Sequence, residues 1–501
     1  MSAGSVSHRI GMAVDLGASG GRLLAGPLDA ERFSLEELHR FPNGGIAVGR
    51  HLHWDVLRLW SEIKEGLAEG GRRFGSALAS VGVDTWGVDF GLLDESGELL
   101  GNPHHYRDSQ NLGMLEAAFD QVPRDDIFAA TGLQFMEFNS LYQLLAMRQR
   151  RAGALDAATS LLMMPDLFHY FLTGIRSNEA TNASTSQCFD PTRGDWARPL
   201  LERFGLPTEI FGPLSLPGTR LGPVTDEVRR ETGLGAIDVV LPGTHDTASA
   251  VMAVPAESRP GEMPDWCYIS SGTWSLMGVE LPRPMVTADV FAENFTNEGG
   301  VGGTTRLLKN IAGLWLVQEC RRIWQRSGHE FGWSDLVARA EKSPPLGSFI
   351  FPDHADFLAP TDMPTAIRDY CRATGQTVPD SEGAVIRCAL ESLALRYREV
   401  LETLERFVGR RIERIHIVGG GTQNRLLNQM AADACRREVI AGPVEATAIG
   451  NLAMQSIALG SCDSIAEARR RVRSSFEMQV VEPRNSAAWD DAYGRFLKLP
   501  R

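Results

Sequence analysis

Cysteine is sparse and never paired in this sequence. The seven cysteines (Cys188, Cys267, Cys320, Cys371, Cys388, Cys435 and Cys462) are scattered, odd in number and form no CxxC. That excludes a disulfide framework or zinc ribbon and predicts reduced, mostly buried thiols. Positive charge is in deficit, with 50 Lys and Arg against 63 Asp and Glu and a formal net charge of −13. A general nucleic-acid or anionic-membrane binder would carry the opposite balance. No apolar run is long enough to span a bilayer, and the opening MSAGSVSHRIGMAV lacks the apolar core of a signal peptide. Neither a Walker A sequence nor a kinase Gly-rich loop with its strand lysine is present. These absences predict a cytoplasmic protein without nucleic-acid or membrane partners.

The 501 residues, 43 % of them hydrophobic, suffice for two domains with their own cores. The organising stretch is VVLPGTHDTASAVMAV, residues 239–254. Val239 to Leu241 reads as a short buried strand, Pro242-Gly243 ends it, and a helix begins near Thr247. The turn between them carries His245 and Asp246, flanked by Thr244 and Thr247. A carboxylate there is placed to take a proton from a bound hydroxyl. Asp is also a favoured N-cap, so the turn alone fits a helix cap as well as a general base.

Residues 9–28 read as strand, tight turn, strand. Gly17, Gly20 and Gly21 would let backbone amides surround an anion, and Arg22 would meet a phosphate oxygen. Asp15, just before the turn, would serve a hydrated Mg²⁺. The segment also matches the G-x-S-x-G nucleophile elbow, but that motif needs a strand followed by a helix, whereas a strand pattern resumes here. Residues 53–70 carry Trp54, Leu57, Trp60, Ile63 and Leu67 at helical spacing, predicting an amphipathic helix ended by Gly70-Gly71. His51 and His53 resemble a metal pair, but no further ligand accompanies them.

Residues 80–100 read as a strand, a turn holding Asp84, Thr85, Trp86, Gly87 and Asp89, and a second strand. An indole beside carboxylates suits a sugar, whose C–H face stacks while its hydroxyls bond the acids. Residues 178–190 are a polar small-residue stretch, and 255–265, rich in Pro, Gly and charge, is the predicted linker. It divides the chain into domains 1–254 and 255–501. Past it the opening pattern returns: strand, Ser/Gly/Thr tip with Thr273, strand over 266–281, then a long helix over 384–408. A further strand leads to Gly419-Gly420-Gly421 and a helix. This predicts two similar α/β domains facing each other across a central cleft.

DLGASGGR (15–22), DTWGVDFGLLD (84–94), YRDS (106–109), GTHDTASAV (243–251), SSGTWSLMGVE (270–280), FTNEGG (295–300), LKNIAGLWLVQECRR (308–322), GGGTQN (419–424) and AGPVEATAIGN (441–451) together resemble the FGGY carbohydrate kinases. Those belong to the actin/hexokinase/Hsp70 ATPase superfamily. His245-Asp246-Thr247 is similar to their rhamnulokinase branch, where a glycerol or xylulose kinase would usually carry Gly-Asp-Gln. The resemblance implies two ribonuclease H-like domains, the first for sugar, phosphate and base, the second for nucleotide. It implies ATP- and Mg²⁺-dependent phosphorylation of L-rhamnulose at O1 in L-rhamnose catabolism, by a monomer or homodimer.

Carried over by position, Asp246 is the proton acceptor, while Gly87, His245, Thr247 and Asn297 contact the sugar. Trp86 and Asp84 join that set on the reading of their turn. Ala18, Ser19, Gly20, Gly21, Arg22, Thr273, Thr305 and Gly420 contact ATP. Three positions depart from the pattern: Ala18 to Gly21 lacks a second Ser, Thr422 stands where Cys is frequent, and Ala431 lies across from Cys435 where some relatives pair two cysteines. Two alternatives share these motifs, a kinase of another ketose such as L-fuculose and a catalytically silent sugar or nucleotide sensor. Retention of Asp246 with Asp15 and both hairpin tips favours a kinase over a sensor.

Overall fold

Strand β1 (Ile10–Gly17) is apolar at almost every position because both its faces are covered. On one face Met12, Val14 and Leu16 share a core with Leu59, Ile63 and Leu67 of the helix Val56–Phe74. On the other, Ala13 packs with Leu24, Leu28 and with Ala448 and Leu452 of the helix Ala446–Ala458. Each fully buried Leu, Ile, Val or Met among them contributes about 1.5–3 kcal/mol. The computed structural model describes residues 8–257, 262–358 and 360–501, the side chain of Ser486 excepted. The first seven residues of the opening segment and residues 258–261 of the expected linker lie outside the described residues.

The chain forms two units. In the first, β1 pairs antiparallel with β2 (Gly20–Pro27), and β2 with β3 (Glu36–Pro42). On its other side β1 runs parallel to β4 (Leu78–Thr85). The antiparallel edge strand β5 (Arg220–Pro223) borders β6 (Asp238–Val240), which is parallel to β4. The sheet order is β3-β2-β1-β4-β6-β5. Only Ala18 and Ser19 separate β1 from β2, so a strand follows the Gly-rich turn and the nucleophile-elbow reading is excluded.

A second sheet repeats the plan. Strand β7 (Trp266–Ser271) forms an antiparallel hairpin with β8 (Trp274–Leu281), which neighbours β9 (Thr305–Ala312). Parallel to β7 runs β10 (Arg414–Val418), then β11 (Glu438–Ala441), with antiparallel β12 (Gln479–Val481) at the edge. This sheet has a seventh strand, Thr296–Gly299, beyond β9; its other six, β9-β8-β7-β10-β11-β12, follow the order of the first sheet. The long helix Glu382–Val408 bears the apolar stripe expected of it.

Three local expectations are corrected. His51–Trp54 is a strand paired with Gly45–Val48, so Trp54 is not part of the following helix. That helix runs on to Phe74, and Gly75 (φ +50°) caps it. Gly70 lies inside it, at a contact too close for a side chain: a Cβ there would stand 2.4 Å from Met12 Sδ. His51 does have further company, since His104 and Asp108 bring donor atoms within 4.8 Å of one another with it. Arg150 donates from Nη2 to His104 Nε2 at 2.7 Å and from Nη1 toward His51 Nε2 at 3.3 Å, so a guanidinium already occupies one nitrogen of each ring. Cys371 and Cys388 lie 4.0 Å apart through their sulfurs, and all seven cysteines are buried and unpaired.

The contacts divide the chain differently from a single cut at 254/255. Glu280–Leu307 and Ala446–Ser475 belong with the first unit, not the second. The helix Ala446–Ala458 owes this to a small-residue face that fits against close-packed backbone. A Cβ on Gly450 would lie 1.8 Å from Ser249 O, in the helix Asp246–Met252. Among the described residues no helix is long and apolar enough to cross a membrane.

Gly450→Ala is therefore expected to destabilise the protein by about 3 kcal/mol through overpacking. Gly235→Ala, where a Cβ meets nothing within 4 Å, should shift stability by less than about 0.5 kcal/mol. Denaturant titrations of the two variants beside the wild type check both values.

Candidate active site

The turn after β6 leads from a buried strand into a helix whose N-cap is His245. Asp246 is the first helical residue, and no side-chain cap bond is made at this terminus, so the capping alternative does not describe it. Its side chain is 32 % exposed while its neighbours are buried. One oxygen accepts the Thr247 hydroxyl at 3.1 Å and faces His245 Nε2 at 3.3 Å. The recessed surroundings raise its carboxyl above the ordinary range; His245 pulls it down and the charge of Asp15 pushes it up.

The turn is held from below by Glu179, which is completely buried. Its carboxylate accepts Thr181 N (2.9 Å), Thr181 Oγ1 (2.5 Å), Thr244 N (3.0 Å) and Thr244 Oγ1 (2.6 Å). Thr181 Oγ1 in turn accepts His245 N at 3.2 Å, and Thr85 N at the end of β4 donates to Thr244 O at 2.9 Å. Behind the imidazole, Nδ1 of His245 lies 3.2 Å from Glu298 Oε2 and 3.1 Å from Arg306 Nη2. Burial opposes ionisation of Glu298, yet the Arg306 guanidinium holds its carboxyl below the ordinary range.

Register places Asp15 of β1 opposite Asp84 of β4. Arg22, across the hairpin, donates to Asp15 Oδ2 at 2.6 Å, so in this structure it meets a carboxylate. Asp84 is fully buried; Oδ2 accepts Asn451 Nδ2 at 2.6 Å, and Oδ1 has no hydrogen-bond partner among the described residues. Burial, and after it the neighbouring Asp15 charge, pushes the Asp84 carboxyl well up. Paired hard oxygens, one of them uncommitted, suit a hydrated Mg²⁺. At the hairpin tip Ser19 is exposed and Ala18 and Gly20 are half-buried. Gly21 is required by packing, since a Cβ would strike the Phe41 ring at 2.3 Å.

Trp86 is turned into the core. Its ring lies 4.0 Å from that of Trp54 between centroids, and both indole N–H groups donate to Asp89 Oδ2, at 2.9 and 2.5 Å. Tyr106 N (3.2 Å) and Gln143 Nε2 (2.9 Å) complete the shell of Asp89. Trp86 is 6 % exposed, so it shapes the turn rather than offering an open stacking face. Gly87 presses on Thr185, whose Oγ1 would lie 2.8 Å from a Cβ. Asn297 is likewise engaged within the fold. Its amide accepts Met285 N at 2.7 Å and donates to Gly132 O and Met285 O at 3.0 and 3.2 Å.

Asp15, Ala18 to Arg22, Asp84, Trp86, Gly87, His245, Asp246, Thr247, Asn297 and Thr305 all lie in the first unit. Contacts join Asp15 with Arg22 and Asp84, and Asp246 with His245 and Thr247, whereas Asn297 bonds Met285 and Gly132. Thr273 and Gly420 belong to the second, where Thr273 stands at the tip of the β7–β8 hairpin and a Cβ on Gly420 would meet open space. The adjoining Gly421 packs on Ser271, whose Oγ would lie 2.0 Å from a Cβ. Sequence reasoning missed Glu179, Glu298, Arg306 and Asn451 as parts of the site. A signal existed for the first, because residues 178–187 are polar yet, apart from Ala180, buried.

Sequence models of the N-terminal and C-terminal domains of the FGGY family of carbohydrate kinases match residues 12–253 and 267–459. The chain is 46 % identical over 489 residues to a rhamnulokinase of Bacteroides thetaiotaomicron, covering 98 % of this chain and 99 % of that one. It is 41 % identical to a rhamnulokinase of Halalkalibacterium halodurans, covering 93 % and 97 %. Among solved structures, a ligand-bound xylulose kinase from Lactobacillus acidophilus superposes with a TM-score of 0.80 at 14 % identity over 98 % and 97 % of the two chains. Plasmodium falciparum glycerol kinase with ADP superposes with a TM-score of 0.74 at 13 % identity over 98 % of each. These two likenesses concern the fold.

Burial pushes the carboxyl of Asp89 from an ordinary 3.8 up to about 7 against its four donors. A carboxyl raised on folding stabilises most below its unfolded value, and that contribution is lost as pH rises to the folded one. The stability difference between wild type and Asp89→Asn should therefore shift against the wild type from pH 5 to about 7, then level off. Parallel denaturant titrations across pH 5–8 measure it.

Proposed function

The chain belongs to the FGGY family of carbohydrate kinases, and from that premise we propose that this ATP-dependent sugar kinase phosphorylates L-rhamnulose at O1, with Asp246 as general base. The substrate reading is supported by the high identity to rhamnulokinases across nearly the whole chain. The role of Asp246 is supported by one observation: a recessed, partly exposed carboxylate held on three sides by His245, Thr247 and the clamped turn.

Asp246 takes the proton of the sugar hydroxyl as that oxygen forms its bond to the γ-phosphorus of ATP, and the bond to the ADP oxygen breaks. His245, Thr247 and the backbone at Gly87 contact the sugar. Trp86 and Asn297, whose polar groups are already engaged in the fold, and Asp84, bonded to Asn451 through Oδ2 alone, give that pocket its shape. Ala18 to Arg22, Thr273, Thr305 and Gly420 contact ATP. Asp15, with the uncommitted oxygen of Asp84, would hold hydrated Mg²⁺, which neutralises polyphosphate charge when bound. Arg22 would then exchange its bond to Asp15 for a phosphate oxygen. A cytoplasmic setting suits ATP as donor and unpaired thiols.

The test is ADP release from Mg-ATP with L-rhamnulose beside L-fuculose, D-xylulose, L-ribulose and glycerol. Turnover should be selective for L-rhamnulose, and Asp246→Asn should lower it by about 10³-fold while calorimetry still records sugar binding. Turnover confined to another ketose would overturn the substrate. An Asp246→Asn protein within tenfold of wild type would overturn the base.

A further inference from the structure

Buried charge is costly unless it is paired and placed with purpose. Arg306 is completely buried, and Glu298 beside it is 4 % exposed. The guanidinium donates through Nε to Gly299 O at 2.8 Å. Its Nη2 lies 3.2 Å from Glu298 Oε2 and 3.1 Å from His245 Nδ1. Glu298 Oε2 stands 3.2 Å from that same ring nitrogen. One imidazole nitrogen therefore faces both an obligate donor and an obligate acceptor, while the other, Nε2, faces Asp246 Oδ1 at 3.3 Å.

We propose that Arg306 is a positioning residue that keeps His245 Nδ1 free of a proton, so that Nε2–H points at the Asp246 carboxylate and fixes its orientation. The proposal rests on the general-base reading of Asp246. A guanidinium has no lone pair to offer and does not deprotonate in proteins. Where its N–H reaches Nδ1, the ring must accept there and carry its single proton on Nε2. Glu298 holds and neutralises Arg306, which keeps a bare cation from sitting behind the base. Glu298 is also the competitor. Without Arg306 its carboxylate would accept Nδ1–H, leaving a neutral ring with its Nε2 lone pair facing the lone pairs of Asp246.

The experiment uses the full chain labelled with ¹⁵N-histidine, with the His245 signals found by subtracting the spectrum of His245→Asn. In the wild type at pH 8, Nδ1 should be unprotonated and Nε2 protonated. In Arg306→Met, Nδ1 should acquire a proton, and kcat should fall about tenfold to a hundredfold, as when a partner orienting a functional histidine is lost. KM for ATP should stay within about twofold. Adding Glu298→Met to Arg306→Met, which removes the competing acceptor, should return Nδ1 to its unprotonated state and recover part of kcat, which simple loss of packing would not do.

A protonated Nδ1 in the wild type overturns the proposal, as does an Arg306→Met protein that folds with the tautomer and kcat unchanged. Should Arg306→Met not fold, the wild-type spectrum decides. Absence of phosphoryl transfer to any ketose, with Nδ1 unprotonated, would sink the kinase-base reading and leave the ring assignment standing.

Discussion

Everything at the turn that carries Asp246 depends on one buried carboxylate. Glu179 lies at zero exposure and accepts four hydrogen bonds from two threonines sixty-odd residues apart, Thr181 and Thr244. A buried carboxylate missing one of those donors would be costly. The segment 178–187 and the turn at 243–247 are consequently fixed to one another. That turn cannot drift without exposing Glu179 to an apolar interior. Asp246 thus stands on a support set by charge satisfaction, which is stiffer than loop packing alone. Such preorganisation is what a general base needs, because the proton must be taken at a stated distance and angle.

The second constraint is spacing within the first sheet. Parallel pairing of β1 with β4 sets Asp15 against Asp84, and two carboxylates so close are tolerable only with partners. Arg22 supplies one across the hairpin, and Asn451 supplies another from the helix Ala446–Ala458. That helix reaches the strands because the contact is made of small residues. Gly82 would place a Cβ 2.7 Å from Asn451 Oδ1 and 2.8 Å from Val240 O. Gln455, one turn on, binds Asn451 Oδ1, Met12 O and Ser80 Oγ. Glycines in the strand and helix, and the amide ladder between them, therefore belong to one device that carries the acidic pair.

The repeated hairpins, the triple glycine and the strand-turn-helix around Asp246 were legible in the sequence because each is a local signal: alternation, a turn composition, a small-residue helix start. Partnership was not. Nothing in ATAIGNLAMQ says that its helix covers the first sheet, since an apolar, small-residue face fits any close surface. Trp54 carried helical spacing with Leu57 and Trp60, but tertiary pairing with Gly45–Val48 made its segment a strand. Trp86 looked like a sugar platform because composition shows an indole beside acids; it does not show that the indole N–H is already bonded to Asp89. The same limit hid Glu298 and Arg306, which read as ordinary charged residues near a Gly-rich turn.

Those last two residues bear on how the turn tolerates change. An imidazole at position 245 places a polar ring in a site where it is 8 % exposed, and such a ring needs partners on both nitrogens. Asp246 answers one side; Arg306 and Glu298 answer the other. Removing only the arginine leaves a buried carboxylate without its counter-ion, and removing only the glutamate leaves a buried guanidinium, each at about 3–5 kcal/mol. A smaller residue at 245 would make the pair behind it a burden without a function. His245, Glu298 and Arg306 are therefore a single unit in energetic terms, and the position preceding Asp246 is constrained through two charges buried behind the ring.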